Sequence, residues 1–141
     1  MRFAPVLLAG AFALASCGKS ETPRADGPAD EAVSMPTIEP TAAMGEQIFK
    51  RCVACHTIDE GGPNGIGPNL HGIVGAAVAS KPDFSYSSAM KAKGGVWDKA
   101  ALDTYLEAPI KAVPGTRMAF AGVIDAADRE ALILYLEAQS K

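Results

Sequence analysis

Residues 51–75 constrain the fold of this chain more than any other segment. They contain Cys52 and Cys55, three positions apart, with His56 directly after the second cysteine, and then a glycine-rich stretch. From residue 57 to residue 84 there is neither strand alternation nor a helical apolar stripe. A loop this long counts against a compact domain unless something else fills its centre. The sequence therefore predicts a large bound group in place of part of the core.

The pattern C-x-x-C-H is typical of covalent attachment of c-type haem. Two thiols three positions apart on a helical turn can reach the two vinyl groups on one edge of the macrocycle. The imidazole of the next residue then approaches the iron from below. On this interpretation Cys52 and Cys55 hold the haem and His56 is an iron ligand.

Other uses of this cysteine pair fit the sequence less well. A structural zinc site needs about four nitrogen or sulfur ligands, and the adjacent Cys55 and His56 are poorly placed to share one tetrahedral ion with Cys52 and His71. A thiol–disulfide oxidoreductase would place the pair near a βαβ pattern, which is not visible. A plain disulfide is not favoured at this spacing. His71 remains open as a second axial ligand.

Helical periodicity predicts an all-α domain with long irregular loops. One helix is capped by Thr41, a short one lies in residues 85–94, and a third is capped by Asp98 and stopped by Pro109. The last is capped by Asp125.

The first 41 residues have a different character. Residues 1–16 contain an arginine, an apolar run and small residues, as in a secretory signal. The letters LASC that end at Cys17 resemble the bacterial lipobox, which implies a lipidated Cys17. Ordinary cleavage, giving a soluble protein, and an uncleaved anchor are the alternatives. Residues 17–41 are rich in proline and acidic residues, so we expect a flexible, lipid-attached linker before a domain at 42–141.

Charge excludes one class of partner. The formal net charge is -3, and no basic run exceeds two residues. Nucleic acid is therefore not expected as a partner.

Several stretches, in order and spacing, resemble class I cytochrome c of the mitochondrial and cytochrome c2 type. They are CVACH, GIGPNLHGIVG, FSYSSAM, GGVW, YLEAPIKAVPGTRMAFAG and ADREALILYL. The resemblance covers nearly all of the predicted domain from Gly45 onward. It implies the class I cytochrome c fold, with helices and long loops wrapped around one covalent haem c.

The resemblance also implies roles at the iron. Cys52 and Cys55 match the thioether cysteines, His56 the proximal ligand and Met118 the distal ligand. Pro68 matches the proline whose carbonyl orients the proximal imidazole. The metal ligands implied are thus His56 and Met118.

Four further residues match the surroundings of the haem. Tyr86 and Trp97 resemble the residues that hydrogen-bond a haem propionate. Tyr105 and Thr116 resemble the hydroxyls near the distal ligand and the buried propionate. In the family the histidine that matches His71 packs in the loop and donates a structural hydrogen bond.

The remaining methionines fit the distal role worse than Met118 does. Met35 lies in the linker, Met44 opens the first helix, and Met90 lies on the short helix. Two positions depart from the family pattern. Ala76 stands where an arginine or lysine usually pairs with a propionate, and Met90 where an asparagine often orders water.

The implied function is electron transport. With both axial positions filled, the iron has no open site, so we expect a carrier of single electrons between respiratory complexes and not an enzyme. The alternative is a haem peroxidase or small-ligand sensor in which Met118 dissociates. A thiol redox protein without haem is a third possibility. We expect a monomer on the periplasmic side of a bacterial membrane, docking transiently through a thin basic ring that includes Lys50, Arg51, Lys81, Lys111 and Arg117.

Overall fold

The protein is described by a computed structural model over residues 38–140. Five helices follow in the order α1 (Ala42–Phe49), α2 (Ser88–Lys93), α3 (Lys99–Glu107), α4 (Pro109–Ala112) and α5 (Ala126–Ala138). Within these residues the only β-pairing is one isolated antiparallel bridge, between Ala77 and Val96. The all-α fold class is thereby confirmed. The signal peptide, Cys17 and most of the linker lie outside the described residues.

Three of the predicted helix caps are present. The side chains of Thr41, Asp98 and Asp125 each accept a hydrogen bond from the backbone three residues on, at 3.3, 2.8 and 3.0 Å. These bonds satisfy amide groups that have no partner inside the helix. Helix α2 begins later than predicted because its cap is Ser87, whose hydroxyl accepts from Met90 N at 3.1 Å.

The prediction that the third helix ends before Pro109 is confirmed, but the sequence analysis did not predict the short helix that begins there. Helix α3 does end at Glu107, but Pro109 is the first residue of α4. Proline is well suited to that position, since its fixed φ matches the helix and its missing N–H would have no partner there. The chain therefore turns at Ala108 and continues as a second, shorter helix.

Helices α1 and α5 cross in close contact. A Cβ at Gly45 would overlap the carbonyl oxygen of Ala131 and lie 2.7 Å from Cβ of Tyr135. One turn later, the rings of Phe49 and Tyr135 are 5.3 Å apart. Only glycine allows this approach. The contact between the first and last helices therefore holds the two ends of the domain together.

A buried arginine, which the sequence did not suggest, links α3, α5 and the chain before α5. Arg129 is 7% exposed, and its Nε donates to Asp103 Oδ1 at 2.7 Å. Its Nη1 donates to the carbonyls of Val123 and Ile124 at 3.0 and 2.8 Å.

In residues 38–140 no helix has the length and apolar character that crossing a bilayer requires.

Candidate functional site

The centre of the domain is a cavity of about 310 Å³ with mostly apolar walls. All the site residues predicted from the sequence line it: Cys52, Cys55, His56, Pro68, Tyr86, Trp97, Tyr105, Thr116 and Met118. Core side chains of every long helix complete the wall, among them Phe49, Leu102 and Leu132. The cavity thus lies where a domain of this size would otherwise have its core.

The two cysteines and the histidine share one turn after α1. The amides of Cys55 and His56 both donate to the carbonyl of Cys52, at 3.0 Å each. Both thiols are free and half-buried. Burial raises the pKa of the Cys52 thiol; Arg51 opposes this shift and Cys55 adds to it. A neutral thiol is a poor nucleophile, so Cys52 does not resemble the low-pKa thiolates of thiol–disulfide enzymes.

His56 is held by the loop that follows it. Its Nδ1 lies 2.7 Å from the carbonyl oxygen of Pro68. Burial lowers the pKa of the imidazole, and the Pro68 carbonyl partly offsets this. A neutral imidazole that donates from Nδ1 keeps the lone pair of Nε2 for a metal ion. The loop passes so close that a Cβ at Gly67 would overlap the ring.

Residues 52–70, here called the proximal segment, contain a hydrogen-bond network that the sequence did not reveal. Asn69 is buried, and its Nδ2 donates to Thr57 Oγ1 at 2.7 Å and to the carbonyl of Asp59 at 3.0 Å. Its backbone N–H donates to Asn64 Oδ1 at 2.9 Å. Because Pro68 precedes Asn69 directly, this network fixes the carbonyl that orients His56. The signal in the sequence was the polar letters inside GPNGIGPNL, but their partners are not encoded by spacing.

Met118 lies in an irregular stretch far along the chain from His56. This stretch, residues 116–123, is here called the distal segment. The Thr116 hydroxyl lies 3.0 Å from the Tyr105 hydroxyl and accepts from Met118 N at 3.3 Å. Burial raises the pKa of Tyr105, while the bond to Thr116 opposes the rise. Helix α3 therefore positions the start of the distal segment through one side-chain pair.

Met90 also lines the cavity and is 8% exposed. Met44 is half-buried on α1 and is not part of the cavity wall. Of the methionines in the described residues, Met90 and Met118 are thus the two whose thioethers are near a group bound in the cavity. Position on a short helix does not by itself separate Met90 from Met118.

The aromatic residues form part of the same wall. The rings of Trp97 and Tyr105 are 5.0 Å apart, and those of Phe84 and Tyr86 are 4.8 Å apart, edge to face. Burial raises the pKa of Tyr86, and a bond to the backbone of Lys81 opposes it. Aromatic packing and a polar tip at the cavity occur together in these residues.

His71 lies away from the cavity wall. Among the described residues, no hydrogen bond is made by its imidazole; its backbone N–H donates to Asn69 Oδ1 at 2.9 Å, and its carbonyl accepts from Lys81 Nζ. The structural hydrogen bond expected from this histidine is therefore not found. In the same loop, Asn64 Nδ2 donates to the carbonyl of Pro82 at 3.1 Å.

Only two charged side chains, Arg51 and Arg117, line the cavity in the part of the chain that the structure describes. Lys50, which follows α1 directly, donates to Gln47 of that helix, and Lys81 donates to the carbonyl of His71. Of the five cations predicted to form a basic ring, Arg51 and Arg117 thus also line the cavity. Ala76 is not part of the wall.

These groups fit a covalently attached haem. The cavity has apolar walls, two free thiols on one turn, an imidazole whose Nδ1 is paired with the Pro68 carbonyl, and thioethers that suit iron in a cytochrome. Within residues 38–140 no three His, Cys, Asp or Glu side chains are grouped as a metal site would require. Four-ligand zinc binding thus has no matching donor set in the described residues.

Comparison with known proteins gives a consistent family. Residues 42–140 match the cytochrome c family model. The chain is 49% identical over 104 residues to cytochrome c of Stellaria longipes, covering 73% of this chain and 96% of that one. It is 46% identical over 101 residues to cytochrome c2 of Agrobacterium tumefaciens (strain II Chrys), covering 70% and 91%. Cytochrome cH from Methylobacterium extorquens superposes with a TM-score of 0.66 at 40% identity, covering 70% of this chain and 98% of that one.

Proposed function

The chain belongs to the cytochrome c family and carries electrons on one covalently attached haem c, and from this premise we propose which of its residues hold that group and which class of redox partner it docks with. Cys52 and Cys55 are the attachment residues, and His56 and Met118 are the iron ligands. The observation that carries this proposal is that all four line one cavity. When bound, haem c supplies a reversible one-electron couple.

His56 is the ligand whose ring orientation is set by a contact within the protein itself. The 2.7 Å contact between Nδ1 and the Pro68 carbonyl fixes which nitrogen carries the proton. Such a hydrogen bond from Nδ1 also holds the ring orientation and raises the basicity of the ligating nitrogen. The apolar wall excludes water from this face, which favours the neutral imidazole, as the lowered pKa of His56 indicates.

Two protein ligands leave no open position for a substrate. We therefore propose a carrier and not an enzyme, in keeping with the relatives, which are cytochromes c and c2. A peroxidase or sensor would need Met118 to be displaced in its working state. No described contact favours that state over the ligated one.

We propose that electrons pass to and from respiratory complexes by transient docking at the mouth of the cavity. Ile66, in the cavity lining, is 81% exposed, and Arg51 and Arg117 are exposed cations of the same lining. Such a small apolar and basic rim suits brief contact, with charge steering the encounter. Electron-transfer rates to an acidic partner should fall moderately as salt rises, because screening acts within about 8–10 Å at physiological ionic strength. A rate that rises with salt would contradict this docking face.

We propose a periplasmic location, with residues 42–141 as the electron-carrying domain and residues 17–41 as a tether from a lipidated Cys17. The sequence alone supports the tether. A flexible chain of that length has a root-mean-square reach of roughly 25–30 Å. Cys17→Ser should release the protein from the membrane fraction without altering its haem spectrum. Retention in the membrane would contradict lipidation.

One visible spectrum tests the proposed ligation. The protein, matured with haem-attachment machinery, should be low-spin and should display the sulfur-to-iron charge-transfer band that requires bound methionine. Haem that is extracted by acidic organic solvent would contradict covalent attachment. A low-spin spectrum without the sulfur band would contradict ligation by Met118.

A further inference from the structure

Arg51 makes two contacts across the mouth of the cavity that the assigned roles do not use. Its Nη2 donates to the carbonyl of Gly122 at 3.1 Å, although 71 positions separate the two residues. Its guanidinium carbon lies 5.2 Å from the centre of the Phe120 ring. Arg51, Met118 and Phe120 all line the cavity. One side chain from the attachment turn therefore reaches the distal segment at two points.

Apart from Arg51, the middle of the distal segment is held by packing of Met118 and Phe120 against the core. Its start is held by Thr116, and its end by the bond from Val123 N to the carbonyl of Leu106 at 2.8 Å. In the described residues, no backbone hydrogen bond is made by residues 119–121. Between the two ends, Arg51 adds polar contacts, to Gly122 and Phe120, to this apolar packing.

The backbone at Gly122 explains why an arginine can bind there. Gly122 has φ +105°, and a Cβ would overlap the carbonyl oxygen of Glu107. Its backbone is therefore pressed against the end of α3, and its carbonyl accepts from Arg51 Nη2. The planar guanidinium can donate to that carbonyl while its face or edge remains near an aromatic ring, a combination that the lysine ammonium matches poorly.

We propose that Arg51 is a positioning residue that latches the distal segment over the cavity and so keeps Met118 in place. This inference rests on the proposed ligation by Met118. When the latch is open, residues 119–121 can move away from the cavity mouth and an external ligand can reach the distal side. When it is closed, the attachment turn and the distal segment behave as one unit. The exposed position of Arg51 makes it the point at which an acidic partner would compete for the latch.

The test is imidazole binding to the oxidised, haem-loaded protein. A charge-assisted hydrogen bond and a partly exposed cation–π contact together shift the equilibrium constant between the open and closed segment by about tenfold or more toward the closed form. Arg51→Ala should therefore raise the apparent imidazole affinity about tenfold. Phe120→Leu, which keeps apolar bulk but removes the ring, should raise it by a smaller factor of about two to three. Lys50→Ala is the matched control, because it removes the adjacent cation, whose described bond is to Gln47. It should leave the affinity unchanged.

A second readout separates a latch from general loss of stability. In a denaturant series, the sulfur-to-iron band reports Met118 and far-ultraviolet circular dichroism reports the helices. Arg51→Ala should shift loss of the band to lower denaturant while the helical transition moves much less. Both transitions moving together would overturn the latch.

Failure of this inference is distinct from failure of the proposed ligation. If the unaltered protein lacks the sulfur band, ligation by Met118 is wrong and the latch has nothing to position. If the band is present but Arg51→Ala binds imidazole like the unaltered protein, only the latch is wrong. An equal rise in affinity for Lys50→Ala would also overturn it, because the effect would then come from net charge and not from contact.

Discussion

The proximal and distal segments hold their ligands in different ways. In the proximal segment, buried Asn69 and its neighbours form a closed set of hydrogen bonds around Pro68 and His56. The distal segment is hydrogen-bonded at Thr116, Gly122 and Val123, and the stretch between them is held by apolar packing and by Arg51. Local openings begin where few buried contacts hold the chain. We therefore expect Met118, and not His56, to be the ligand that the protein releases first.

The largest effect should come from removing what both segments surround. The double change Cys52→Ala and Cys55→Ala prevents covalent attachment and leaves the apolar cavity wall, including Phe49 and Leu132, without an occupant. The chain should then be largely disordered, because most of its core side chains face that cavity. Far-ultraviolet circular dichroism tests this. Native-like helicity with cooperative melting would contradict it.

The proximal network should control global stability. Asn69→Ala removes three side-chain hydrogen bonds, to Thr57, Asp59 and His71. At about 1 kcal/mol each, the free energy of unfolding should fall by about 3 kcal/mol. Denaturant titration should then move the sulfur band and the helical signal together. Thr104→Ala, which removes an exposed bond within α3, is the control and should have a much smaller effect.

The distal segment should respond locally. Thr116→Val keeps the shape of the side chain but removes the oxygen that contacts Tyr105 OH and Met118 N. In a denaturant series, we expect the free energy of the transition that removes the sulfur band to fall by about 1–2 kcal/mol. The helical transition should be nearly unchanged. A purely global shift, like that expected for Asn69→Ala, would erase the distinction between the two segments.

The smallest effect concerns pH. Burial raises the pKa of Tyr105 in the folded protein above that of the unfolded chain, so the folded state holds its proton longer. The stability from this group is complete below the unfolded value of about 10 and is lost as pH rises above it. Tyr105→Phe should therefore flatten the alkaline decline in the free energy of unfolding. An identical decline in both proteins would mean that burial of Tyr105 is not linked to stability.

The two segments also differ in how far the sequence predicted them. C-x-x-C-H lies within one turn, so its spacing alone indicated where both cysteines and His56 would point. The cap residues Thr41, Asp98 and Asp125 were predictable for the same reason, because a cap bonds three residues away.

Long-range partners were not predictable from pattern. Arg51 meets Gly122 and Arg129 meets Asp103 across 71 and 26 positions, and no local rule pairs them. Pro109 was ambiguous because proline both ends one helix and favours the first turn of the next. The family resemblance identified Met118 as the distal ligand. The cavity lining alone would leave Met90 as a second candidate.

The most direct measurement is therefore the visible spectrum of two methionine variants, each matured with covalent haem. Met118→Ala should lose the sulfur-to-iron band, become high-spin or take another ligand, and have a lowered reduction potential. Met90→Ala, altered in the same cavity, should keep the band. A Met118→Ala protein that remains low-spin with the band intact, or loss of the band in Met90→Ala alone, would contradict the assignment of His56 and Met118 as the ligand pair.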